Sequence, residues 1–126
     1  MTECISYEDF AKVDIRIGTV LAAEAVEGTD KLIKCTIDFG FKPALPAAEG
    51  AEPAPVEKDI RTIVSGIKQW KTPEELVGKQ LPYIFNLAPR ILKGIESQGM
   101  LLAASDEQGV ALLTAERPLP AGTKLK

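Results

Sequence analysis

The chain has 126 residues, 45% of them hydrophobic and 26% charged, enough apolar side chain for one ordinary core and too little length for two. No stretch approaches the about 18 consecutive apolar residues that cross a membrane, and the start, Met1-Thr2-Glu3-Cys4-Ile5-Ser6, has no basic region leading into an apolar run, so neither membrane insertion nor export is expected and a cytoplasmic setting is. The formal net charge of −3 at first argues against a nucleic-acid partner, yet residues 60–95 hold six basic side chains against two acidic ones, and such a basic middle in an acidic shell gives one attractive face while limiting indiscriminate adhesion to polyanions.

Ser6 reads as an N-cap with Glu8 and Asp9 in the turn that follows, and Tyr7, Phe10, Ala11 and Val13 have roughly helical spacing, which predicts a short N-terminal helix. Val13, Ile15 and Ile17 then alternate with Asp14 and Arg16; the phase breaks at Gly18 and resumes at Val20, the pattern of a bulged or sharply curved first strand. After a turn at Glu24 to Asp30, Ile33, Cys35, Ile37 and Phe39 alternate with Lys34, Thr36 and Asp38 as a second strand, with Lys31 at its mouth. Residues 41–59 interleave prolines with alanines and acids and have neither period, so they are read as a flexible loop inserted in a single domain, 1–126.

Arg61 to Gly66 is a third strand. Thr72-Pro73-Glu74-Glu75 is a capping box with proline at the first helical position, and Gly78 closes the helix. Leu81, Tyr83, Phe85 and Leu87 alternate as a fourth strand, in which Pro82, lacking a donor, is expected near an edge. Met100 to Ala104 reads as a fifth strand buried on both faces, followed by a turn at Asp106 to Gly109, a short strand at Val110 to Thr114 and an irregular tail. Three strands, a short helix and two more strands is the order of an all-β, five-stranded Greek-key barrel of the OB type, here with an N-terminal helix and a C-terminal extension.

Between the fourth and fifth strands, Asn86-Leu87-Ala88-Pro89-Arg90-x-Leu92-x-Gly94-x-x-Ser97-x-Gly99-Met100 is polar, basic and rich in special-backbone residues. Arg90 and Lys93 only donate and stay charged, so an anion is their natural partner, although the same stretch also reads as a solvated connection. This segment resembles the signature of the dimeric OB-fold tRNA-binding domain, found free-standing, at the C-terminus of many methionyl-tRNA synthetases and in cytokine-like synthetase-associated proteins. Phe10-Ala11-Lys12-Val13-Asp14-x-Arg16-x-Gly18-Thr19-Val20 and Asp30-Lys31-Leu32 are similar to that family's opening. Ile63-Val64-Ser65-Gly66-Ile67 and Thr72-Pro73-Glu74-Glu75-Leu76-Val77-Gly78-Lys79 are similar to its middle. The connection at 41–59 is longer than the family's usual one.

The resemblance implies tRNA as partner and places Lys31, Asn86, Arg90, Lys93, Ser97, Gln98 and Met100 at the RNA-facing end of the barrel. Lys31, Arg90 and Lys93 would neutralise phosphates, and Asn86, Ser97 and Gln98 would meet 2′-hydroxyls and base edges. Met100 reads equally as a core side chain and as an apolar contact to a nucleotide; Trp70, beside Lys68 and Lys71, reads equally as an RNA neighbour and as an anchor of the helix connection. With seven aromatics, of which Phe10, Phe39, Tyr83 and Phe85 look like core or dimer residues, stacking platforms are scarce, which favours binding a folded RNA by shape.

Catalysis is not expected. Histidine is absent, no nucleophile-base pair or phosphate-binding glycine loop occurs, and Cys4 and Cys35 are thiols at unrelated spacing with no ligand cluster, so neither a metal nor another cofactor is expected. The leading expectation is a free-standing homodimer that binds tRNA; the opening runs almost directly into the first element, as in an independent protein. One alternative is a separately expressed C-terminal domain of a methionyl-tRNA synthetase, with a synthetase as a further partner. Another is a chaperone of the CsaA type that binds extended, unfolded peptide, a branch that Ile37-Asp38-Phe39-Gly40 and Glu116-Arg117-Pro118-x-Pro120-x-Gly122 resemble.

Overall fold

A computed structural model of the chain describes residues 3–41 and 57–126. Ser6 caps the helix α1 (Tyr7–Ala11), its Oγ accepting from the Asp9 N–H at 3.1 Å, and no residue of this helix is buried. The strands that follow are β1 (Ile15–Ala25), β2 (Ile33–Phe41) and β3 (Lys58–Ser65), then a helix α2 (Pro73–Leu76) and β4 (Gln80–Ile84). Two short strands, β5 (Arg90–Leu92) and β6 (Ile95–Ser97), precede β7 (Met100–Leu101), and β8 (Ala103–Asp106) with β9 (Gly109–Leu112) forms a last hairpin. One antiparallel sheet in the order β3-β2-β1-β4-β7 curls into a half-barrel of the OB type, with the β5–β6 and β8–β9 pairs as separate ribbons.

The alternation in β2 is kept in space: Ile33, Cys35, Ile37 and Phe39 all face inward, against Val20, Ile63, Leu76, Leu81 and Tyr83. Each fully buried aliphatic side chain stabilises the fold by about 1.5–3 kcal/mol relative to exposure. Phe39 sets the aromatic centre, edge-on to Tyr83 at 5.6 Å and to Phe85 at 5.0 Å. α2 adds Leu76 to this core, and its capping box is complete, with Thr72 Oγ1 accepting from Glu75 N–H and Glu75 Oε1 accepting from Thr72 N–H.

Three expectations are corrected by the packing. The bulge in β1 falls at Leu21, between the pairs Val20–Ile37 and Ala22–Thr36, and not at Gly18. Gly18 breaks the apolar phase because a β-carbon there would run into Ile37 and Phe39; the gap in the pattern marks close approach. Pro82 sits in an interior strand, opposite Ile17 of β1. Its missing donor would have pointed at Leu102, which lies just past the end of β7, and Pro82 still accepts from the Leu102 N–H at 3.0 Å. Nor is Met100 to Ala104 one buried strand: Met100 pairs with Ile84, the ladder stops after Leu101, and Ala103 and Ala104 are exposed in the β8–β9 ribbon.

Phe41 pairs with Lys58, so β2 and β3 reach further than the sequence pattern placed them; most of the proline-rich loop expected at 41–59 lies outside the described residues. The tail runs antiparallel beside the first half of β1. Gly122 donates to Ile17 O at 2.7 Å, Thr123 O accepts from Ile17 N–H at 2.8 Å and Leu125 donates to Ile15 O at 2.8 Å. Gly122 is required there, since at φ +88 a side chain would be strained and would strike the Phe39 carbonyl. Among the described residues, no helix is long and apolar enough to cross a membrane.

Candidate nucleic-acid interface

The polar stretch after β4 forms a tight ribbon. Lys93 and Gly94, with φ of +50° and +79°, are the two residues between the paired Leu92 and Ile95, the conformation of a two-residue type I′ hairpin turn. Arg90 and Lys93 are exposed on this ribbon, and no carboxylate among the described residues forms an ion pair with them or with Lys31.

The ribbon also closes the barrel, and it does so with side chains. Ser97 is 4% exposed; its Oγ accepts from the Val64 N–H at 3.0 Å and donates to Gly99 O at 3.2 Å. Gln98 donates its backbone N–H to Thr62 O at 2.8 Å, and its Oε1 accepts from the Thr62 N–H at 3.0 Å. Thr62 thus exchanges two bonds with Gln98 as in a ladder, one of them through a side chain. Asn86 is spent in a similar way at the start of the loop, its Oδ1 accepting from Asp14 N–H at 2.8 Å and its Nδ2 donating to Lys12 O at 2.6 Å.

The seven residues singled out by the sequence therefore divide. Arg90, Lys93 and Met100, the last 41% exposed, present side chains to solvent; Asn86, Ser97 and Gln98 use theirs to hold the loop on the segment before β1 and on β3. Lys31 is exposed on the β1–β2 loop, and its carbonyl accepts from the Lys68 N–H at 3.1 Å, which joins that loop to the segment after β3. Arg90 lines a cleft with Gly66 and Ile67 of the same segment, so Lys31 and Arg90 flank one end of the barrel.

A family model described as "Putative tRNA binding domain" matches residues 55–124, which include β3, the whole β5–β6 ribbon and the tail. The chain belongs to this tRNA-binding domain family. Over 123 residues it is 46% identical to the methionine–tRNA ligase of Deinococcus radiodurans, covering 97% of this chain but 16% of the ligase. A solved MetRS-related protein from Pyrococcus horikoshii superposes with a TM-score of 0.79 at 36% identity, covering 99% of this chain and all of the other. The chaperone CsaA from Bacillus anthracis superposes with a TM-score of 0.76 at 29% identity, covering 98% and 100%.

Within this tRNA-binding domain, two residues that the sequence reading passed over hold the loop's base. Arg61 on β3 donates from Nη1 to Phe85 O at 2.6 Å and to Gln98 O at 3.3 Å, joining the residues that flank the loop, and Asp59 accepts from its Nε at 3.0 Å. Arg16 on β1 donates from Nε and Nη2, one edge of its guanidinium, to both carboxylate oxygens of Asp14, at 3.0 and 2.9 Å, and that hydrogen-bonded pair keeps the Asp14 carboxyl below its ordinary value. The signal was present in the sequence as a repeat, Asp14-Ile15-Arg16 and Asp59-Ile60-Arg61; on a strand, residues two apart share a face, so each aspartate orients its arginine.

Two clefts flank the loop, the first of them at this base. One, of about 580 Å³, is lined by Asp59, Arg61, Phe85, Asn86 and Gln98 among others; the second, of about 310 Å³, lies between the β5–β6 and β8–β9 ribbons. Trp70, 47% exposed, rests its indole against Gly109 of the latter ribbon. Among the described residues no three cysteine or carboxylate groups are close enough to hold a metal ion.

Proposed function

We propose that the chain is a non-catalytic binder of folded tRNA, working as a homodimer in the cytoplasm. The observation that carries this reading is the β5–β6 ribbon, which projects Arg90 and Lys93 into solvent with no carboxylate partner among the described residues, while Ser97 and Gln98 fix its root to β3. Unpaired cations on a rigid support release counterions when they meet phosphates, without first breaking bonds inside the protein. In this reading Lys31, Arg90 and Lys93 neutralise phosphates and Met100 lies against a nucleotide. Asn86 and Gln98 offer the N–H groups their internal bonds leave over to 2′-hydroxyls or base edges, and Ser97 sets the ribbon's register. Apolar side chains left exposed on α1 and near the tail, Tyr7, Phe10, Leu113 and Leu125, support the dimer.

The test is charge reversal at the ribbon. Arg90→Glu with Lys93→Glu is expected to weaken tRNA binding more than tenfold at moderate salt, with the melting temperature nearly unchanged, since both side chains are exposed. Unaltered affinity would remove the site assignment.

The likeness to a CsaA chaperone supports a second reading, peptide binding on the same scaffold. An unstructured peptide titrated in parallel separates the two: saturable peptide binding, with no tRNA binding even at low salt, would establish it. Because the chain spans 16% of the length of the methionine–tRNA ligases it resembles, the same contacts also suit a domain that delivers tRNA to a synthetase.

A further inference from the structure

We propose that the cleft between the β5–β6 and β8–β9 ribbons takes one unpaired nucleotide of the bound RNA, its base inward, its phosphate on Arg90 and Trp70 at its rim. This rests on the tRNA reading above and goes beyond it, since recognition of shape and phosphate alone needs no base pocket. The cleft's volume, about 310 Å³, lies at the lower end of the about 300–1,000 Å³ usual for small-molecule sites. A single base fits such a space and a helix does not.

Its chemistry is divided as a nucleotide is. Val64, Ile67, Leu92, Leu101 and Val110 give an apolar lining for the faces of a ring, and Ser65 and Ser105 supply hydroxyls for a polar edge. Arg90 also lines the cleft, exposed and in no ion pair among the described residues, where the phosphate of an inserted nucleotide would pass. Free phosphate would match Arg90 and gain nothing from the lining; an apolar peptide side chain would match the lining and leave the guanidinium unused.

Trp70 does not line the cleft but lies beside two residues that do, Ile67 and Val110. Its backbone N–H donates to Ile67 O at 3.0 Å, and its indole packs on Gly109, next to Val110, with 47% of the residue still exposed. An aromatic surface beside an apolar slot is what an unstacked base seeks.

Trp70 is the sole tryptophan, so its emission reports on this rim in the unmodified protein. The experiment follows that emission during titration with folded tRNA and with a fully paired RNA duplex, alongside an independent measure of binding. The expected result is a change in emission that tracks tRNA binding and is absent with the duplex, which has no base to insert. Trp70→Leu and Ala104→Phe, the latter filling the cleft from an exposed position on β8, are expected to weaken tRNA binding five- to twentyfold with the same salt dependence. Arg90→Gln should instead lower the slope of log K against log salt by about one.

Normal tRNA binding with unchanged emission and wild-type affinity in both cleft variants overturns the base pocket and leaves the tRNA reading standing. An equal change in emission with the duplex also overturns the pocket. No tRNA binding by any measure overturns both.

Discussion

The Arg61 guanidinium lies 3.5 Å from the centre of the Phe85 ring while donating to the carbonyl of the same residue at 2.6 Å. Arg16 approaches the same ring to 4.0 Å, so an aromatic side chain at the end of β4 is held by cations from β1 and β3. Phe85 is in turn packed edge-on to Phe39 of the core. The base of the candidate RNA-facing loop is thereby tied to the centre of the barrel through stacking and hydrogen bonds together.

Replacing Arg61 by methionine keeps much of the volume but leaves the Phe85 and Gln98 carbonyls and the Asp59 carboxylate without their donor. A loss of about 2–3 kcal/mol is expected, read as a fall in melting temperature of roughly 10 °C for a chain of this size. Arg61→Lys should recover less than half, because an ammonium cannot reach three acceptors in the planar fork. A melting temperature within 2 °C of wild type for the methionine variant, roughly half a kcal/mol, would show that the bonds at the loop's base carry little stability.

The Asp14–Arg16 pair predicts a pH dependence with a definite sign. Its ordinary carboxyl value is 3.8 and the folded state holds it lower, chiefly through the hydrogen bonds from Arg16. The stabilisation is fully present above the unfolded value and is lost as pH falls through the folded one. Asp14→Asn should therefore melt lower than wild type by a constant margin from pH 5 to 8, and the margin should close below about pH 4. A margin that persists at pH 2 would assign the effect to lost packing.

At Gly18 a methyl group would meet the side chains of Ile37 and Phe39 in the core. Gly18→Ala is expected to cost about 1–3 kcal/mol by overpacking. Gly66→Ala, where the nearest atom is the Lys31 carbonyl at 4.0 Å, should change stability by less than half a kcal/mol. Urea titration with an unchanged m-value in both variants checks the pair.

The two thiols should differ sharply in reactivity. Cys4 is exposed, whereas Cys35 is 4% exposed and its burial pushes the thiol up to about 11. Since the thiolate is the reactive form, a maleimide at pH 7 should label one equivalent quickly and the second only as the barrel unfolds. Rapid labelling of both would show that β2 opens locally.

The sequence made most of the frame legible because its signals were local. Alternation alone identified β2, and Thr72, Pro73, Glu75 and Gly78 bracketed α2. What it hid were relations between distant segments. Gly18 looked like a bulge because a missing side chain has the same appearance whether the strand bends or a neighbour fills the space. Pro82 looked like an edge because the sequence does not show that β7 ends where its donor would be needed. Ser97 and Gln98 looked like groups for a ligand, since polar side chains in a surface loop usually face water; their partners, the Val64 and Thr62 N–H groups, lie more than thirty residues away. The repeated Asp-Ile-Arg was visible throughout, but Phe85, which gives it meaning, lies just past the end of a third strand.

The Ser97 and Gln98 bonds to β3 make a seam stitched largely by side chains, beside a sheet whose main strands are woven from backbone. Stitches let go before cloth tears: opening there breaks a few side-chain bonds and one backbone bond, while separating β1 from β2 or β2 from β3 strips a whole ladder. The seam and the cationic ribbon are one piece of chain, so a polyanion that grips Arg90 and Lys93 would also hold the seam shut, and its affinity would appear as slowed hydrogen exchange at Thr62 and Val64.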